Sequence, residues 1–153
     1  FAGRIAEEFK LASGTWVSGG RLRAQLTQAL SPFVSDALIC GIDKEYVGAL
    51  MWLNRAAAER ALNRTLATTA EGLAKDTELR DKIVRALRVH NEQNTGSSRR
   101  ISRVAFLTEP PSVDGQEISD KGTVNQSVAL RRRIGDVERL YSRDPDSSVI
   151  ILE

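Results

Sequence analysis

Three short apolar runs decide most of what this chain can become. Val34 to Cys40, Tyr46 to Leu53 and Ile101 to Leu107 are each the length of a strand and bounded by turn residues. Gly41 closes the first, Glu109-Pro110-Pro111 closes the third, and the polar break Asp43-Lys44-Glu45 separates the first two. Short apolar runs between turn signals read as buried strands, and the spacing of the first two suits an antiparallel hairpin.

The intervening segments carry helical periodicity. Leu22, Leu26, Ala29 and Leu30 fall on one face, predicting a helix over about 21–30, with Ser18 before it as a cap and Ser31-Pro32 as its stop. At Asn54 the composition shifts to Ala, Leu, Arg and Glu. Asn54 is a good N-cap for a helix through about Ala70. Glu71-Gly72 then interrupts, and a second helix runs from about Asp76 to Glu92, with Leu79, Ile83, Ala86, Leu87 and His90 as its apolar stripe. A polar loop, 94–100, precedes the third strand. After a turn-rich stretch over 112–122, a last helix is predicted from Thr123 to Tyr141, ended by Asp144-Pro145-Asp146. Val149 to Leu152 is an edge strand or a frayed tail. At the other end, residues 4–18 read as two short strands around the turn Ala12-Ser13-Gly14. The mixture predicts an α+β fold: a small mixed or antiparallel sheet covered by helices, with an N-terminal β-hairpin.

At 153 residues the chain is about one domain. A formal net charge of +2 is too small to argue for nucleic acid or an anionic membrane as partner. No apolar stretch approaches the roughly 18 residues of a membrane span. A single cysteine, Cys40, excludes an internal disulfide framework and fits a reducing, cytoplasmic setting. Its apolar surroundings make it a core residue. The start at Phe1 suggests a piece of something longer.

Little in the chain reads as a self-contained active site. No Ser-His-Asp or Cys-His set can be assembled, no cluster has metal-ligand spacing, and no P-loop or G-x-G-x-x-G is present. His90 lies on an apolar helix face and reads as structural. Arg131-Arg132-Arg133 reads as a solvated helix face, or else as a contact for a phosphate or an acidic surface. Two features carry more. The Ser13-Gly14 turn lets another molecule approach backbone closely, and Arg4 near its base is a forked cation suited to phosphate or ribose oxygens. The loop 115–123 presents Lys121 beside Gly122 just before a helix, where a lysine can reach an external anion. An ordinary exposed lysine in a turn is the plainer reading.

The order of these motifs resembles the C-terminal domain of the adenylate-forming acyl-CoA synthetases (the AMP-binding superfamily). The chain is similar from end to end, and most similar to the feruloyl-CoA synthetase branch. The resemblance rests on Gly3-Arg4, on Ser13-Gly14-Thr15-Trp16-Val17-Ser18, on the segment from Glu109-Pro110-Pro111-Ser112 to Lys121-Gly122, and on Val124-Asn125-Gln126. It implies that residues 1–153 are the mobile C-terminal lid of an acid–CoA ligase whose large ATP- and acid-binding domain lies elsewhere. It implies ATP/AMP, coenzyme A and Mg as cofactors, the last bound mainly by the large domain. By position it implies that Arg4 contacts the adenylate and that Ser13, Gly14 and Trp16 line the CoA channel. It also places the hinge at Ala6 and Glu7 and makes Lys121 the catalytic lysine of adenylate formation. Ala6 stands where the family usually has Asp or Lys, and the family's Lys-Ile/Leu pattern falls at Thr123-Val124 in an ungapped alignment. The competing reading is a non-catalytic module in which the alanine-rich helices between Asn54 and Glu92 form a docking or dimerisation surface.

Overall fold

The computed structural model describes residues 7–119 and 121–152. Arg4 and Ala6 lie outside the described residues, as does the beginning of the first predicted strand.

A two-stranded ribbon comes first. Strands β1 (Glu8–Lys10) and β2 (Trp16–Ser18) pair antiparallel, with Phe9 opposite Val17 and Lys10 opposite Trp16. Helix α1 (Gly19–Ala29) follows directly. Ser18 occupies its N-cap position without a side-chain capping bond, and the helix begins two residues earlier than its periodicity predicts. Leu22, Leu26 and Leu30 are buried as predicted, whereas Ala29 is exposed.

The main sheet has four strands in the order β3 (Val34–Cys40), β4 (Val47–Leu53), β5 (Ile101–Leu107) and β6 (Val149–Ile151). The β3–β4 and β5–β6 pairs are antiparallel, and β4–β5 is parallel. The sheet is therefore mixed, and the C-terminal apolar run is its edge strand.

Alternation along each strand divides the core in two. Ala37, Ile39, Ala49, Met51, Val104 and Phe106 face one side, where they pack with Leu22 and Leu26 of α1 and with buried residues of the 54–93 segment. Leu38, Cys40, Leu50, Trp52, Ala105 and Leu107 face the other side, with Ala129 and Leu140. Burial of both faces explains why the strands read as nearly unbroken apolar runs. Gly48 permits a close approach on the second side: a Cβ there would come within 2.8 Å of Leu140 Cδ2.

The long alanine-rich segment is three helices rather than two: α2 (Arg55–Leu62), α3 (Ala70–Ala74) and α4 (Thr77–Gln93). Asn54 caps α2 as expected, accepting from the Ala57 amide at 3.0 Å. The predicted run to Ala70 stops early because Asn63 adopts left-handed geometry (φ 54°). Asparagine tolerates that conformation and so can end a helix as glycine does. Gly72 lies inside α3 rather than breaking a helix. Asp76 caps α4, whose buried stripe of Leu79, Ile83, Leu87 and His90 matches the expected one.

The last predicted helix is broken into α5 (Gln126–Arg132) and α6 (Ile134–Leu140). Arg133 between them leaves helical geometry and is buried.

Candidate functional site

The ribbon turn is built by backbone bonds. The Leu11 amide donates to Thr15 O, and the Gly14 amide to Leu11 O, both at 2.9 Å. Gly14 has φ +88°, a conformation open to glycine and strained for other residues, and no atom lies within 4 Å of where its Cβ would stand. Ser13 is exposed, and its hydroxyl is 2.9 Å from that of Thr15.

The two faces of the ribbon differ. Leu11 and Val17 are buried, with Phe9 packed against the same core. On the outer face Trp16 is 60 % exposed, with the Lys10 ammonium 5.0 Å from its ring centre. An aromatic left in solvent beside a cation is an unusual use of tryptophan. The turn is also lashed to the β3–β4 turn: the Ala12 amide donates to Lys44 O at 2.8 Å, and the Asp43 amide to Lys10 O at 3.1 Å.

Glu7, expected at the hinge, is half-buried. Its carboxylate is 3.2 Å from Arg23 Nη1, and its carbonyl accepts from the Gly19 amide at the start of α1. Arg23 also reaches Asp36 at 3.1 Å.

Lys121 lies near the tip of a second projection. Ile118 bridges Val124, and the Ser119 amide donates to Thr123 O at 2.8 Å. The strand-like bridge closes into a narrow tongue, turned by Gly122 at φ +79°. Lys121 is exposed there.

The tongue is rooted in charge. Glu117 is fully buried, and its carboxylate takes a fork from Arg133: Nε to Oε2 at 3.0 Å and Nη2 to Oε1 at 3.1 Å. The Ser112 amide donates to Oε1 at 2.7 Å. Arg133 Nη2 also donates to Pro110 O at 3.1 Å, and its guanidinium lies 5.2 Å from the Trp52 ring centre. The Trp52 indole donates to Glu109 O at 2.7 Å. Burial pushes the Glu117 carboxyl up, but the Arg133 fork and the Ser112 amide outweigh it and hold the group below the usual glutamate range.

This arrangement corrects the reading of Arg131-Arg132-Arg133 as a solvated face. Arg131 and Arg132 are exposed, while Arg133 turns inward. Neither Glu117 nor Arg133 stands out as a site residue in the sequence. A signal exists for the second: Ala129, Arg133, Val137 and Leu140 share helical spacing, which puts an arginine in an apolar stripe. Glu117, in a polar turn-rich stretch, has no comparable mark.

Cys40 is a buried core thiol, pushed up by burial to about 12. His90 is buried, with Nε2 2.8 Å from Arg99 O, a structural tie to the 94–100 loop. Among the described residues no group of three His, Cys, Asp or Glu side chains could hold a metal, and no helix is long and apolar enough to cross a membrane.

A two-stranded ribbon, a helix-covered mixed sheet and a lysine-tipped tongue define a known class of domain. The chain belongs to the AMP-binding enzyme C-terminal domain family, whose model matches residues 8–145. Its fold is similar to that of the A domain of a carboxylic acid reductase from Segniliparus rugosus, solved with AMP and a co-purified carboxylic acid, at 20 % identity and a TM-score of 0.66. It is also similar to the corresponding adenylation domain from Mycobacterium chelonae, at 21 % identity and a TM-score of 0.67. Each likeness covers 90 % of this chain and 20 % of the other, so the chain spans about a fifth of those structures. The A-PCP didomain of the Segniliparus rugosus enzyme, solved with AMP, matches at 20 % identity and a TM-score of 0.61, covering 90 % of this chain and 18 % of that one. No curated protein sequence matches the chain.

Proposed function

We propose that this domain is the C-terminal lid of an ATP-dependent, AMP-forming acid–CoA ligase, of the feruloyl-CoA synthetase kind or one acting on a related aromatic acid. In the first half-reaction the carboxylate attacks the α-phosphorus of ATP, giving an acyl-adenylate and releasing pyrophosphate. Lys121 then serves as a point charge on the oxygens where negative charge develops. In the second, the CoA thiolate attacks the acyl carbon, and AMP leaves. The ribbon then lines the pantetheine path with Ser13, Gly14 and Trp16, and Arg4 contacts the adenylate. A large ATP- and acid-binding domain of the same enzyme supplies the remaining groups, including those for Mg. The lid turns between the two steps about a hinge at Ala6 and Glu7.

The observation that carries this reading is the pairing, on one small domain, of two exposed tips held on firm roots. One is a glycine-bearing turn beside an exposed tryptophan, the other a lysine on an anchored tongue. The interaction-module reading has less support. Ala57, Ala58, Leu66, Leu73, Leu79, Ile83 and Leu87 of the helical segment are buried within this domain, which leaves those faces unavailable for a partner.

The test separates the half-reactions in the full-length enzyme. Lys121→Ala slows adenylate formation, read by ATP–pyrophosphate exchange, and spares thioester formation from supplied acyl-adenylate. Equal loss in both steps, or none in either, rejects the assignment. Residues 1–153 alone produce no CoA thioester from any acid; turnover by that fragment refutes the lid role.

A further inference from the structure

Residues 108–125 form an 18-residue connection between β5 and α5. Segments of this kind are ordinarily the least constrained part of a domain. Here several hydrogen bonds within the 112–125 stretch converge on one residue. The Glu117 amide donates to Ser112 O at 2.9 Å, and its carbonyl accepts from the Asn125 amide at 2.7 Å. Its carboxylate takes the Ser112 amide and the Arg133 fork. Beyond that root, the described residues are held by the Ile118–Val124 bridge, the bonds of 118–124 and the burial of Val124.

A buried ion pair is a poor device for stability alone, since apolar residues of like volume often serve as well. What it supplies is a fixed geometry: a planar fork accepts a carboxylate in few arrangements. We propose that Glu117 and Arg133 are positioning residues for Lys121, holding the root of the tongue so that the ammonium meets its anion at a set place. The inference rests on the ligase reading for its catalytic half and on the geometry alone for its anchoring half.

Two readouts in the full-length enzyme keep these halves apart. The first is amide hydrogen exchange over 118–124 in Glu117→Gln, which keeps the side chain's shape and removes its charge. Exchange there rises about tenfold or more relative to the rest of the domain. The second is the split of kinetic constants. The kcat of adenylate formation falls about tenfold or more, the KM values for ATP and acid stay nearly constant, and thioester formation from supplied adenylate is preserved. Arg133→Lys, which keeps the charge and loses the fork, shows the same pattern in milder form and carries the test if Glu117→Gln does not fold.

Unchanged exchange over 118–124 overturns the anchor, whatever the enzyme's activity. Faster exchange with an unchanged kcat overturns the positioning role. Equal loss in both half-reactions reduces the pair to a structural element and also overturns it. If Lys121→Ala leaves adenylate formation intact, the ligase assignment of that lysine fails, while the exchange readout still judges the anchor.

Discussion

Arg133 meets Glu117 through two parallel hydrogen bonds with both side chains buried, and the last helix breaks at the arginine that makes them. An unbroken helix from Gln126 to Leu140 has no place for such a turn. The inward fork and the break are two sides of one choice, and they tie the helical end of the chain to the tongue before it.

The pair is therefore fragile to one-sided change. Arg133→Met leaves a buried carboxylate without its fork, with only the exposed Arg132 3.8 Å away, and lowers unfolding free energy by about 3 kcal/mol. The double variant Glu117→Gln/Arg133→Met removes both charges and loses less. Urea unfolding of the three proteins decides the matter; equal losses in the single and double variants contradict a buried, coupled pair.

Acid sensitivity follows from the same site. The Glu117 carboxyl is held below its ordinary 4.5, and the Asp76 carboxyl, bonded by Arg64, below its ordinary 3.8. In the unfolded chain both groups bind protons at a higher pH than in the folded one. Their contribution is thus fully present above about pH 5 and is lost as pH falls through the folded values. Stability measured from pH 6 down to pH 3 declines, and Glu117→Gln declines less steeply. A parallel decline in the variant removes Glu117 from the explanation.

Trp16 offers the opposite case, a residue with little structural burden. At 60 % exposure, Trp16→Ala shifts the melting temperature only slightly. If the ribbon lines the thiol path, the same change raises the KM for CoA about tenfold while leaving pyrophosphate exchange unaltered. CoA kinetics identical to the parent enzyme's count against that surface.

Gln126 closes the open edge of β3. Its amide donates to Ala37 O at 3.0 Å and accepts from the Ile39 amide at 3.2 Å, as a neighbouring strand's peptide group does. Gln126→Ala lowers stability by about 1–2 kcal/mol, the scale of two lost hydrogen bonds. Amide exchange at Ile39 rises with it; protection at Ile39 that persists shows that water or backbone takes over the role.

The sheet was the easiest part to read, because burial on both faces writes its strands as plain apolar runs. The ribbon and the Asn54 cap were equally open, since turn and capping chemistry is local. What stayed hidden depended on distant partners. The end of α2 lies in the backbone geometry of Asn63, where no glycine or proline marks it. Gly72, a breaker by propensity, sits inside a short helix capped by Thr69. The fate of Arg133 turned on a carboxylate 16 residues away, and the inward aim of Glu117 has no periodic signature at all. Ser13 and Gly14 sit in an exposed turn and Trp16 at the exposed start of β2, and their role in CoA binding rests on the resemblance.

The ribbon is moored to the bend at Lys44, and the tongue is moored at Trp52. These two moorings stand at opposite ends of β4, a strand about 20 Å long at the usual rise per residue. One stiff spar thus carries a separate implement at each end. Under the proposed lid function the two roots turn together, because one strand carries both.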